Sequence, residues 1–351
     1  MHVDSELTSA FRPWPHRLAW LLLLVVIALI SMGGTVTTYE AGMAVRDWPT
    51  TFDYWFYPIR AWLAVWDVFL EHGHRLLGQL AGLLAMGLAI LLWRDDRQGM
   101  RWVAAGLLLG IAVQGTLGGL RVVVDNRVLA RIHGCVAPLY FALCTATVVW
   151  TSRRWRRATL TRNESEDATS AGPVAARAAD PWATAIRSRR LAWLLVSAIY
   201  IEIVLGALLR RPSANTTPAN MNLWLWLKVI NAALILILCF WLLASLRRLV
   251  VQVVNLPEQS QPGRQADLPR TIRRGGRWLA ALLMAQLVLA AATWVTNYGW
   301  PDWFACYVCR LSYTVVAQGR LQVFATTAHA AAGSLLLGLA LSLILWLRRW
   351  R

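Results

Sequence analysis

The chain has 351 residues, is 58% hydrophobic and carries 21 Trp, with a mean hydropathy of +0.47. A water-soluble protein of this length has no interior large enough for so much apolar surface, so the bilayer is its solvent and the fold class is all-α and polytopic. The net charge of +17 invites a nucleic-acid partner, but the way the charge is distributed argues against one.

In chain order the apolar windows predict eight transmembrane helices, at roughly 18–38, 68–93, 102–122, 130–150, 190–209, 222–244, 277–297 and 322–347. With the N-terminus inside, the even loops and both tails carry 24 of the 35 Lys and Arg, against nine in the odd loops. This is the positive-inside asymmetry, so the charge encodes topology rather than a polyanion partner. Both termini are expected in the cytoplasm, with membrane lipid as the surrounding partner. Asp4, Glu6 and only two Arg before the first window make a poor mitochondrial presequence, and no clear cleavage site follows that window. A bacterial plasma membrane is the simplest home, with the first helix still attached.

The second window opens with Glu71-His72-Gly73-His74-Arg75. Charged and imidazole groups are expensive in hydrocarbon, so such a run leading into a span points to a buried site. At about 100° per residue, Glu71, His74 and Arg75 share a helical face with Gly78 and Gly82, while His72 points the other way. Small residues beside an imidazole admit a large flat ligand or a neighbouring helix. The run reads as an axial ligand for a haem with a carboxylate at hand.

The third window contains Gln114-x-x-Leu117-Gly118-Gly119-Leu120, which the fifth echoes as Glu202-x-x-Leu205-Gly206-Ala207-Leu208 and the seventh more faintly from Gln286. Ordinary packing of small-residue seams explains most of this repeat. The fourth window brings His133. Polar, aperiodic stretches at 158–189 and 252–272 read as linkers. The first divides the chain into residues 1–157 and 190–351, two pseudo-symmetric four-helix halves. The sixth window has no histidine and places Lys228 and Asn231 at the expected depth. Cys306 and Cys309 fall in the last outer loop, where a disulfide is favoured over a redox handle. Cys135, Cys144 and Cys239 are expected to pack in apolar helices. The eighth window supplies His329, with Ala325, Thr326, Ala332 and Gly333 around it.

His74, His133 and His329 all lie near the outer entrance of an inward-running helix, and so at one depth. His2 and His16 are assigned to the tail. His74 and His133 are expected to ligate haem iron from facing helices, the bland alternative being an interhelical hydrogen bond. Glu71 either supports charge developing at an oxidised carbon or merely pairs with Arg75. Arg75 is expected to meet a haem propionate or Glu71. Asp47 and Trp48 belong either to a cover over the site or to a plain interfacial turn.

Together these pieces resemble the haem A synthase family. The likeness rests on Gly33-Gly34, Ala44-Val45-Arg46-Asp47-Trp48-Pro49, Glu71-x-x-His74-Arg75, Gln114-Gly115-x-Leu117-Gly118-Gly119-Leu120-Arg121, Arg131-Ile132-His133-Gly134 and His329. It implies that haem O is the substrate, held in the first half by His74 and His133 and oxidised at one methyl to a formyl group with Glu71 taking part in catalysis. It also implies a haem b in the second half on His329, a haem O synthase and an electron donor as partners, and a role in cytochrome oxidase assembly. A homo-oligomer is left open. The chain departs from the family where Lys228 or Asn231 replaces the helix 6 ligand. A second haem there is held by His329 alone, ligated by a neutral Lys228, or absent. A di-haem b-type cytochrome or a haem-delivery scaffold would share most of these features without modifying haem.

Overall fold

A computed structural model describes residues 13–55, 57–156, 181–210, 212, 216–255, 267–300 and 314–349. Among these residues eight long helices are each apolar enough to cross a bilayer. They are α1 (Pro13–Thr38), α2 (Trp66–Trp93), α3 (Met100–Val123), α4 (Arg127–Thr151), α5 (Pro181–Arg210), α6 (Pro218–Val254), α7 (Asp267–Tyr298) and α8 (Arg320–Arg348). A six-residue helix, Ile59–Ala64, precedes α2. No strand forms among the described residues. Large apolar side chains such as Trp20, Trp102, Trp226 and Phe240 remain exposed on the helix surfaces, where lipid satisfies them. The protein is a multi-pass membrane protein.

Local sequence explains several helix ends. The Asn126 side chain accepts from the amides of Val128 and Leu129 at 2.8 and 3.1 Å and starts α4. Thr217 caps α6 ahead of Pro218. Pro138 lies inside α4 and lacks the amide that would have reached the Gly134 carbonyl, one residue past His133.

Every helix outruns its apolar window, three of them by far the most. Helix α5 begins at Pro181, so the last nine residues of the expected linker (158–189) are helical, and the rest of it lies outside the described residues. Helix α6 continues to Val254, and α7 starts at Asp267, within the second expected linker. Hydropathy marks where hydrocarbon ends, whereas a helix ends where its packing ends. Ala185, Ser188, Leu249, Val253 and Ile272 are all buried in these extensions, and the Ser188 and Ser245 hydroxyls lie 2.7 Å apart.

Helices α1 to α4 close a ring, each packing on the next and α1 on α4, and α5 to α8 do the same. One core fills each ring, and consecutive residues Phe141 and Ala142 of α4 enter different cores. Helix α8 packs on α1 and α4 as well as on its own ring, and so joins the two. At that joint a Cβ on Gly338 would lie 2.7 Å from Thr145 Oγ1 and 3.1 Å from Phe141 Cε1. Thr145 is held in place by its bond to the Phe141 carbonyl. Gly338→Ala is therefore expected to cost about 1–3 kcal/mol through overpacking, read as a lower thermal midpoint in detergent. Gly87→Ala, whose Cβ would meet nothing within 4 Å, is the control that leaves the midpoint in place.

Candidate functional site

The segment between α1 and α2 folds back over the helix ends instead of projecting into solvent. Its Ala41 and Val45 are buried, with Val36 and Leu70 close by. Arg75, one turn after Glu71 on α2, holds this loop from beneath. Its Nη1 donates to the carbonyls of Asp47 and Thr50 at 2.7 and 2.5 Å, and its Nη2 donates to the Val45 carbonyl at 2.8 Å and to Glu71 Oε1 at 3.0 Å. The Val45 amide donates to Glu71 Oε2 at 2.9 Å. Glu71 is only 2% exposed, so its charge is held inside the protein by one guanidinium and one amide. Of the two partners expected for Arg75, the structure supplies Glu71, and loop carbonyls take its other terminal donors.

Asp47 fixes the loop's own shape. Its carboxylate accepts from Thr50 Oγ1 at 2.6 Å and from the amides of Phe52 and Asp53 at 2.9 and 3.1 Å. Phe52 and Asp53 both have positive φ, a conformation that such bonds must stabilise in non-glycine residues. Burial pushes the Asp47 carboxyl up, but these donors outweigh burial and hold it below its ordinary value of 3.8. His72, set aside as facing away, is 4% exposed. It meets the Thr51 hydroxyl at 2.9 Å and lies edge-on to Tyr57 and Trp62, so it anchors the other side of the same loop.

Below this cover, α2 and α4 bring His74 and His133 together. Their ring centroids are 6.5 Å apart with an interplanar angle of 81°. Two glycines let the rings sit there. A Cβ at Gly33 would lie 3.0 Å from His74 Cε1, and one at Gly118 would lie 3.2 Å from His133 Cε1. The His74 Nδ1 is buried without a hydrogen bond among the described residues. Along α2, Gly78 and Gly82 face open space, since a Cβ on either would meet nothing within 4 Å. The small-residue stripe read from the sequence is thus a smooth wall beside His74.

The seam in α3 does more than pack helices. Gly118 seats His133, and Gly119 seats the Trp48 indole, which would lie 2.3 Å from an added Cβ. Trp48 therefore covers the bundle end, and the loop is a lid. Gln114 is buried and its amide reaches the His133 carbonyl at 3.4 Å. One turn beyond Gly118, the Arg121 guanidinium lies against Gly42 and acts electrostatically on both Glu71 and His74. From the sequence alone Arg121 has no assigned role. Its spacing from Gln114 and Gly118 on one helical face was the available signal.

His329 stands apart from that pair. Gly33 touches His74, and its neighbour Gly34 packs on Thr327, two positions before His329, so His329 lies at a similar level in the other ring. Gln286 is its neighbour on α7, as Gln114 is beside His133. The copy that read as fainter is the one whose placement corresponds. Glu202 instead accepts from Lys228 Nζ at 2.6 Å and from Asn231 Nδ2 at 2.8 Å across the α5–α6 contact. Lys228 Nζ lies by Gly206 much as His74 lies by Gly33. Around His329, Ala325 and Ala332 are buried and Gly333 packs on Gln286 and Ile203, while the His329 Nδ1, like that of His74, is buried without a hydrogen bond among the described residues.

Cys144 and Cys239 are buried packing residues and Cys135 is half-buried, all three unbridged. Cys306 and Cys309 lie outside the described residues, as does His2. His16 is not a tail residue; it lies inside α1 and meets Thr151 Oγ1 at 3.1 Å. Among the described residues no cluster of three or more His, Cys, Asp or Glu side chains is placed to hold a bare metal ion.

A protein-family model described as cytochrome oxidase assembly protein matches residues 64–297. A search of curated proteins finds no match to the chain.

Two outcomes follow from the lid. Arg75→Ala removes the ion-pair partner of the buried Glu71, which costs roughly 3–5 kcal/mol. Hydrogen–deuterium exchange should then speed up at the amides of Val45, Phe52 and Asp53. Arg75→Lys rescues only in part, since one ammonium cannot replace the planar fork. Because its folded pKa is depressed, Asp47 stabilises the loop fully above 3.8 and loses that contribution as pH falls through the lowered value. The stability gap between wild type and Asp47→Asn should stay constant near neutrality and narrow only below 3.8.

Proposed function

The chain belongs to the COX15-CtaA family of cytochrome oxidase assembly proteins, and from that premise we propose that it is a membrane oxidoreductase converting haem O to haem A by oxidising one porphyrin methyl to a formyl group. The observation that carries this reading is the His74–His133 pair, 6.5 Å between centroids, beneath a lid and beside the open Gly78–Gly82 wall. Two imidazole–metal bonds of roughly 2 Å each, together with the depth of the two rings, fill about this separation. The buried Nδ1 of His74 and the glycines at both rings fit the same occupant.

Bound haem iron supplies the oxidising chemistry, and the protein positions and shields it. His74 and His133 grip the substrate from α2 and α4. Glu71 is the catalytic carboxylate. Each of its oxygens already accepts one hydrogen bond and keeps a second lone pair for the substrate side. Its negative charge would stabilise positive charge developing at the methyl carbon as it is oxidised. Arg75 is a positioning residue that fixes the Glu71 rotamer and closes the lid. Trp48 over Gly119 keeps bulk water from the reacting edge.

The second ring does not fit a haem gripped by two imidazoles. It offers His329 from α8, whereas the Lys228 amine is bound to Glu202 and the surface around His329 is packed. A haem b in that half is held on His329 alone. The charge asymmetry supports a bacterial plasma membrane with cytoplasmic termini and the lid on the outer face. A haem O synthase supplies the substrate and dioxygen is the oxidant. Each of two hydroxylations places one oxygen atom on the methyl and reduces the other to water with two electrons from a separate donor. The resulting gem-diol loses water to leave the formyl group.

Co-expression with a haem O synthase, followed by chromatography of the extracted haems, tests the proposal. Wild type should yield haem A. His74→Ala should abolish conversion, and Glu71→Ala should accumulate haem O or its hydroxylated intermediate. A haem profile unchanged by both substitutions would end the catalytic assignment.

A further inference from the structure

Arg75 was the sequence's candidate for a haem carboxylate, yet both its terminal nitrogens are spent on the loop and Glu71. Arg121 is a guanidinium beside Glu71 that the loop does not use. Its Nε is buried with no hydrogen bond among the described residues, and it takes part in none of the ion pairs there. Gln114, Gly118 and Arg121 form one stripe on α3. Gln114 reaches the His133 backbone, Gly118 touches the His133 ring, and Arg121 lies one turn nearer the lid, against Gly42. It therefore sits on the lid side of the His133 contact, on the same α3 stripe, and is close enough to Glu71 and His74 to act on both electrostatically. One carboxylate, Glu71, faces two guanidiniums, and Arg75 already neutralises it. A partly buried guanidinium that shares its one nearby carboxylate with Arg75 has donors to spare, so a site built this way is completed by an anion that arrives with the ligand.

Resting on the haem reading above, we propose that Arg121 receives a propionate carboxylate of the substrate porphyrin and thereby sets which edge of the ring faces the lid. In haem O the methyl destined to become formyl is the ring neighbour of one propionate. A propionate anchored at Arg121 brings that methyl to Glu71. Arg121 is a binding and positioning residue that decides which methyl is oxidised, separate from the iron-gripping imidazoles and from Glu71.

The test uses the full-length protein in detergent, titrated with ferric protohaem and, separately, with its dimethyl ester, whose propionates carry no charge. The readout is the low-spin absorbance of iron held by two imidazoles. Wild type should bind the free acid about tenfold or more tightly than the ester, the scale of one charge-assisted hydrogen bond. Arg121→Gln should erase that preference while leaving ester affinity and the low-spin spectrum in place, and Arg121→Lys should restore part of it. Equal weakening of both ligands would mean that Arg121 acts through packing or through Glu71, and would overturn the proposal. So would an unchanged preference. If wild type gives no two-imidazole spectrum with either ligand, the haem reading itself fails and this proposal with it.

Discussion

An irregular loop laid across helix ends leaves carbonyls without partners, and a buried carboxylate leaves a charge without solvent. Arg75 answers both needs at once. Four hydrogen bonds fan from its two terminal nitrogens, three to carbonyls of the Val45–Thr50 segment and one to Glu71, which in turn accepts the Val45 amide. Such a fork is available only to a planar guanidinium. With it in place, the lid stays down, Trp48 lies over Gly119, and Glu71 keeps one orientation above His74. Lid, carboxylate and ligand geometry form one network.

The two rings handle buried polarity in different ways. In the first, glycines on α1 and α3 make room for two imidazoles, and the wall beside them stays open. In the second, the corresponding surfaces are occupied. Glu202, Lys228 and Asn231 satisfy one another across α5 and α6, and alanines and Gln286 crowd His329. Intramembrane charge is tolerated where a partner is fixed nearby, and here that partner is protein. An ion pair of this kind stiffens the α5–α6 contact and removes a ligand from any porphyrin on that side. The two halves thus differ in how they satisfy buried polar groups, with α8 as the wall they share.

Much of this was legible from the residues alone. Eight apolar windows gave eight helices because hydrocarbon permits few other forms, and backbone polarity must be satisfied within each span. The Glu71–Arg75 run announced its site for the same energetic reason. Some features escaped the pattern. His72 read as facing away, which is correct for the helix face, but periodicity knows nothing of a loop that returns to bury it. The helix extensions at 181–189, 245–254 and 267–276 were invisible to hydropathy, since a helix can outlast the bilayer wherever another helix packs beside it. The glycine seam looked like ordinary helix packing because its partners, a histidine ring and a tryptophan, come from elsewhere in the chain.

Hydrophobicity, charge asymmetry and helical spacing determined by themselves that this is a membrane bundle with an acid, two imidazoles and a guanidinium near one end. They act through local rules of solvent and periodicity that need no knowledge of neighbours. Only tertiary structure decided which of those groups meet: that His74 finds His133, that Arg75 turns to the lid and takes no part in holding Arg121, and that Lys228 is bound to Glu202. Pairings of this sort depend on the positions of several helices in three dimensions, which side-chain order along a single chain does not encode.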